Sequence, residues 1–176
     1  MLRTGLGPVA RDWPEERLYP MLTTFLAFYE ENIATQSRPF AGLIDALDEL
    51  EAAGHRLAVC TNKQERLALK LLGALNLTRR FSAIAGRDTF NAYKPDPLHL
   101  SKTIELAGGV APHAIMIGDS VIDITTARNA GVPVVAVSFG YSDPPVATFA
   151  PDAIIDHYDA LRGVVSALSK APSVTA

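Results

Sequence analysis

The stretch Ile115-Met116-Ile117-Gly118-Asp119-Ser120-Val121-Ile122-Asp123 runs an apolar segment straight into two carboxylates four residues apart. An acid at the end of a strand, beside a glycine that lets the backbone pass close to a neighbour, is placed to offer a hard oxygen to a divalent cation. Asp123 has a second reading. Ser120-x-x-Asp123 has the spacing of a capping box, and an acid in the first helical turn favours the helix dipole. Other apolar runs end in the same manner, at Thr61-Asn62, at Ser138-Phe139-Gly140-Tyr141 and, after a longer loop, at Lys94-Pro95-Asp96-Pro97. A hydroxyl, an ammonium and a carboxylate gathered at one edge suit a phosphate group and a divalent cation. Thr61 and neighbouring amides would bind phosphate oxygens, Lys94 would offset their charge, and Asp119 would supply an oxygen ligand. Plainer uses stand beside these: Thr61 or Asn62 would cap the helix that follows, Lys94 would be a solvated lysine, and the prolines would start the next helix.

These residues need a scaffold that brings the ends of separate segments together. Apolar runs at 57–60, 81–85, 115–117, 134–137 and 154–155 alternate with amphipathic segments near 64–75, 97–107, 121–130 and from about 159. The alternation predicts an α/β fold with a doubly wound parallel sheet, in which ligands bind beyond the carboxyl ends of the strands. Residues 11–35 read as helix, with Leu18, Leu22, Phe25, Leu26 and Tyr29 at three- and four-residue steps, until Ser37-Arg38-Pro39 breaks the pattern. Leu43, Ile44, Leu47 and Leu50 resume the helical period up to Gly54, a residue suited to a left-handed stop. The expected organisation is a helical piece over 1–38 and an α/β unit over 39–176.

The 176 residues are 48% apolar and 20% charged, the balance of a soluble globular protein, and suffice for one sizeable core. A formal charge of -3 argues against nucleic acid as the main partner. No apolar run has the length of a membrane span, and the first residues lack the apolar centre of a signal peptide, so a cytoplasmic location is expected. The single Cys60 forms no internal disulfide. Gly5-x-Gly7-x-x-Ala10 imitates a dinucleotide fingerprint without a strand before it. His55, His99, His113 and His157 show no metal-ligand spacing, and Trp13 and Tyr19 are expected to pack within the helical piece.

Taken in order, Thr61-Asn62, Lys94-Pro-Asp-Pro and Gly118-Asp119-Ser120-x-x-Asp123 resemble the haloacid dehalogenase superfamily of phosphohydrolases. Ser37-Arg38-Pro39-Phe40, Cys60-Thr61-Asn62-Lys63, Val137-Ser138-Phe139-Gly140-Tyr141 and Pro151-Asp152-Ala153-Ile154-Ile155-Asp156 are similar to its phosphoglycolate phosphatase branch. The resemblance implies Mg2+-dependent hydrolysis of a small phosphorylated metabolite, 2-phosphoglycolate, through an aspartyl phosphate. Thr61 and Asn62 would hold the phosphate, Lys94 would steady it and the nucleophile, and Asp119 with Asp123 would ligate or support the metal. Arg3, Arg11 and Arg38 are cationic candidates for a substrate carboxylate.

One part of the family pattern is missing. An Asp-x-Asp-x-Thr motif after a first strand supplies the nucleophile and the acid/base in that family, and neither Asp45, Asp48, Asp152, Asp156 nor Asp159 has its spacing or preceding strand. The expectation is a chain that starts inside the helical cap, lacks the strand between those ending at Cys60 and Ile117, and is inactive alone. A homo-oligomer or strand exchange would fill the slot. The rival readings are a non-catalytic remnant that binds phosphate, Mg2+ or a partner, and a cysteine-dependent phosphatase using the Cys60-x5-Arg66 spacing. Signalling receiver domains group similar residues but place the acids first and the lysine last.

Overall fold

The computed structural model describes residues 6–170 and divides after Ser37 into two units. The second unit contains strands β1 (Leu57–Cys60), β2 (Phe81–Ala85), β3 (Met116–Gly118), β4 (Val134–Val137) and β5 (Ala153–Ile155). The first unit holds helix α1 (Glu15–Glu31). Five helices join or flank the strands: α2 (Leu43–Ala52), α3 (Glu65–Ala74), α4 (Pro97–Leu106), α5 (Val121–Asn129) and α6 (Leu161–Lys170). All strand pairings are parallel, as the alternation predicts.

The helix boundaries follow local chemistry. Asp96 caps α4 by accepting the Leu98 N–H at 2.9 Å, with Pro97 opening the helix, and Ser120 caps α5 by accepting the Asp123 N–H at 3.3 Å. Beyond the end of α2, Gly54 takes a φ of 85°, and the His55 N–H reaches the Leu50 carbonyl at 3.0 Å. The start of α3 differs from expectation. Its N-cap is Gln64, without a side-chain cap, and the Glu65 N–H donates instead to Asp88 at 2.7 Å. Thr61 and Asn62 are therefore not caps.

β4 sets the core. Its four residues are buried, Val134 and Ala136 facing a cluster with Leu100, Met116, Ile124 and Ala127, and Val135 and Val137 facing Ala46, Leu50, Leu161 and Val165. The split of alternate residues is the period-two geometry of a strand covered on both faces. Helices α4 and α5 build one layer, α2 and α6 the other. Full burial of Ile124 alone is worth about 1.5–3 kcal/mol.

The sheet is not continuous. β1 pairs with β2, and β3-β4-β5 form a separate sheet, with no ladder joining β1 to β3. Both strands nevertheless pack on common clusters: Cys60 joins the group around Met116, and Leu57 joins that around Ile115, Ile117 and Val135. β1 is correspondingly open, Ala58 being exposed and its other residues half-buried. The break falls where the resemblance implies a further strand.

In the first unit, α1 starts after Pro14 and contains Pro20. Leu18 is its buried residue. Leu22, Phe25 and Phe28 are exposed, and Tyr19, expected to pack, is 72% exposed. Periodicity aligned these side chains on helix faces without supplying a surface to cover them. Trp13 packs within the unit, its ring 3.7 Å from the Arg17 guanidinium carbon. Arg3 and Gly5 lie outside the described residues, and Gly7–Ala10 is a short 3-10 turn.

The hydrogen-bond phase of the open edges can be measured. Thr61 N–H donates to Ala85 and Met116 N–H to Pro133, so with period two the amides of Ala58, Cys60 and Ile117 face the break. We expect these three to exchange with solvent far faster than Val59, Thr61 and Gly118. Equal protection in a monomer, read by amide hydrogen exchange, would contradict an open slot.

Candidate functional site

The strand exits meet at the carboxyl edge and are bonded to one another. Thr61 extends the ladder past β1, its N–H reaching the Ala85 carbonyl at 3.0 Å. The chain then turns, and the Lys63 N–H donates to Thr61 Oγ1 at 3.1 Å. The hydroxyl accepts that bond, so its own proton is left for a ligand. The Asn62 carboxamide joins two loops. Its Oδ1 accepts the Lys94 N–H at 3.0 Å and its Nδ2 donates to the Lys94 carbonyl at 2.9 Å. This two-way bond stitches the turn after β1 to the loop after β2, so the carboxamide positions Lys94.

Lys94 in turn reaches β3. Its Nζ donates to Asp123 Oδ1 at 2.5 Å, the two side chains being 11% and 8% exposed. Asp123 Oδ2 accepts from Ser120 Oγ at 2.7 Å and from the Asp119 N–H at 3.2 Å. Both oxygens accept hydrogen bonds, so Asp123 anchors Lys94 and ties the end of β3 to the start of α5. Half of the capping box of Ser120-x-x-Asp123 is present: Ser120 Oγ accepts the Asp123 N–H, while Asp123 reaches back to the Ser120 hydroxyl and the Asp119 N–H.

Asp119 remains the carboxylate open to a ligand. Oδ2 accepts the Tyr141 N–H at 3.3 Å. Two glycines permit this crowding. A Cβ on Gly118 would lie 2.3 Å from the Asp123 Cβ, and one on Gly140 would lie 2.3 Å from the Asp119 Cβ. Aromatic rings wall this side: Phe139 meets Tyr158 edge-on at 5.1 Å and Phe40 at 5.3 Å, and Phe40 lies 6.3 Å from Tyr141. Burial, and then the nearby negative charge of Asp119, pushes the Tyr158 phenol above its usual pKa.

A magnesium ion takes about six oxygens in near-octahedral order. Among the described residues no three His, Cys, Asp or Glu side chains converge on one point, and Asp119 offers one ligand. The residues present therefore fit part of such a site. The surroundings of Cys60 lend the cysteine reading no support. Burial raises the Cys60 thiol pKa, outweighing the pull of the Lys94 charge and of Thr103, so the nucleophilic thiolate is disfavoured. Cys60 packs against the apolar cluster, and Arg66 sits within α3. A cavity at Arg128, Val132, Pro133 and Asp152 lies by the amino end of β4. There Arg128 donates to the Phe149 carbonyl at 2.8 Å and Asp152 accepts the Val134 N–H at 2.8 Å, so both are occupied structurally.

Sequence reasoning missed the partners of these side chains. Gly140 carried a signal, a glycine three residues past an apolar run, but Tyr158 and His99 carried none: one follows β5, and the other is the third residue of α4. His99 is fully buried, as the core reading of the histidines allows, whereas His55, His113 and His157 are exposed.

Two expectations follow. Gly118→Ala and Gly140→Ala should each lower stability by about 1–3 kcal/mol through overpacking, while Gly163→Ala, with open space around it on α6, should stabilise by about 0.5–1 kcal/mol. Urea midpoints check this, and equal effects at the three sites would refute the close approach. Burial, followed by the Lys94 charge, lowers the His99 pKa, against opposing pulls from the Thr61 carbonyl and Asp96. The unfolded chain then holds more protons below about pH 6.5, so that stability falls as pH drops through this range and is flat with respect to His99 at pH 7–8. The wild-type urea midpoint should decline below pH 6.5 more steeply than that of His99→Asn, and parallel declines would contradict the assignment.

Several known proteins are similar to this chain. The haloacid dehalogenase-like hydrolase profile matches residues 8–137. A phosphoglycolate phosphatase of Mesorhizobium japonicum is 56% identical over 141 residues, 80% of this chain and 62% of the relative. One of Agrobacterium fabrum is 49% identical over 161 residues, 92% and 69% of the two chains. The chain thus spans less than two thirds of the Mesorhizobium protein. A crystal structure of a predicted phosphoglycolate phosphatase from Haemophilus somnus 129PT superposes with a TM-score of 0.82 at 28% identity, covering 89% of this chain and 70% of that one. The chain belongs to the haloacid dehalogenase-like hydrolase family.

Proposed function

We propose that the second unit forms the phosphate-facing part of a phosphoric monoester hydrolase site whose substrate is a small phosphorylated metabolite, 2-phosphoglycolate. The observation that carries this is the bonded set at the carboxyl edge: Thr61 with its hydroxyl proton available, Lys94 held by Asn62 and Asp123, and Asp119 with Oδ1 uncommitted. Two relatives bear the name phosphoglycolate phosphatase, which supports the choice of substrate.

Each residue has a distinct task. The Thr61 hydroxyl donates to a phosphate oxygen, and the Lys94 ammonium, with one proton given to Asp123, has others to offer. Their fixed positions supply orientation without reorganisation during the reaction. Asp119 would hold Mg2+, which when bound neutralises phosphate charge. We assign the aspartyl nucleophile and its acid/base partner to a strand lying between β1 and β3, contributed by another segment or a second chain, with residues 1–38 as part of a helical cap. Arg38 stays a candidate for the substrate carboxylate. Among the described residues no helix is long and apolar enough to cross a membrane, and the formal charge is -3, in keeping with a small soluble substrate.

Residues 1–176 alone should bind phosphate with Mg2+ and show background turnover of 2-phosphoglycolate. Adding a peptide that carries an apolar strand ending in Asp-x-Asp-x-Thr should raise phosphate release, and Asp119→Asn should abolish the gain. Titration calorimetry and a phosphate-release assay read the two parts. Full turnover without the peptide would overturn the assignment of the nucleophile, and binding without any gain would favour a non-catalytic binding protein.

A further inference from the structure

Among the described residues, two polar groups without a hydrogen-bond partner lie beneath the turn after β1. His99 has no exposed surface, and neither ring nitrogen makes a hydrogen bond. The ring stands edge-on to Phe90 at 5.7 Å, and the backbone N–H donates to the Asp96 carbonyl at 3.2 Å. A buried imidazole left in this way is costly and calls for a partner. The second group is the carbonyl of Thr61. Having given its N–H to Ala85, Thr61 would in a regular parallel ladder receive the Arg87 N–H on its carbonyl. Arg87 donates instead to Lys63, at 2.9 Å, because the chain has already turned. Among the described residues no backbone N–H donates to the Thr61 carbonyl.

The two orphans are neighbours. The Thr61 carbonyl lies close enough to the imidazole to act on its protonation, while the pair falls outside hydrogen-bond geometry. The charges facing the ring are those of Lys94 and Asp96, and Lys102 lies over the Phe90 ring. The position matters because peptide units are planar. Fixing the Thr61 carbonyl fixes the whole Thr61–Asn62 peptide, and with it the direction of the Thr61 hydroxyl and of the carboxamide that grips Lys94.

We propose that His99 is a positioning residue: a ring N–H closes onto the Thr61 carbonyl and holds the turn so that the Thr61 hydroxyl faces an oxyanion. The inference rests on the phosphate-binding reading for its consequence, but not for its geometry. Nitrogen-15 spectra of the histidine rings should show His99 locked in one neutral tautomer at pH 7. His99→Leu should speed exchange of the Lys63 amide, which is bonded to Thr61 Oγ1, and weaken binding of inorganic phosphate with Mg2+ about fivefold, the worth of one hydrogen bond. Whichever of His99→Asn and His99→Gln carries its N–H to the carbonyl should restore both. Exchange between tautomers in the wild type, or an unchanged Lys63 amide in His99→Leu, would overturn the proposal. If the wild type binds no phosphate, the reading of the site fails, while the tautomer and the Lys63 amide still decide the role of His99. Should His99→Leu not fold, the ring spectra and the two amide variants decide it.

Discussion

The buried pair of Lys94 and Asp123 is the interaction on which the site depends. An isolated charge at this depth would be neutralised or hydrated, and removing one partner of such a pair leaves the other uncompensated at about 3–5 kcal/mol. The pair also links four pieces of backbone. Lys94 is bound on both sides of its peptide by Asn62, and Asp123 accepts from Ser120 and from the Asp119 amide. Displacing either charge therefore disturbs the turn after β1, the loop after β2, the end of β3 and the start of α5 together.

The same pair sets the electrostatics of any ligand. Lys94 against Asp123 and Asp119 leaves these three side chains with one net negative charge. A phosphate dianion would be repelled by that balance, and a dication reverses it. The chemistry that the site can perform is thus tied to Asp119 staying open, and Gly140 lets the loop after β4 lie against the Asp119 Cβ while Gly118 admits the Asp123 side chain beside it.

Elements were legible where one local pattern decides them. Val134–Val137 reads as a strand because a strand covered on both faces is apolar throughout, and α4 and α5 announce themselves through Asp96-Pro97 and Ser120. The site was legible as a set of strand exits. Its internal bonds were not, since they depend on side-chain reach between loops far apart in sequence. Asn62 meets Lys94 across 32 positions and Lys94 meets Asp123 across 29. Thr61 looked like a cap because a hydroxyl near a helix start usually is one, yet the turn places Gln64 there. The apolar stripe of α1 shows the same limit, for periodicity says which residues share a face and not what lies opposite.

The break in the sheet and the candidate site share one location. The chain leaves β1 at Thr61 and β3 at Asp119, so the Thr61 hydroxyl and the open carboxylate stand on opposite banks of the break. An unpaired strand edge is a template for another strand unless charge, proline or a bulge blunts it. The sequences Leu57-Ala58-Val59-Cys60 and Met116-Ile117-Gly118 carry neither charge nor proline on these edges. Parallel pairing to both would require the incoming strand to run the same way, and its last residues would then emerge between Thr61 and Asp119. Whatever completes the sheet would thereby also stand beside the Thr61, Lys94 and Asp119 side chains, so that filling the break and completing this edge are a single event.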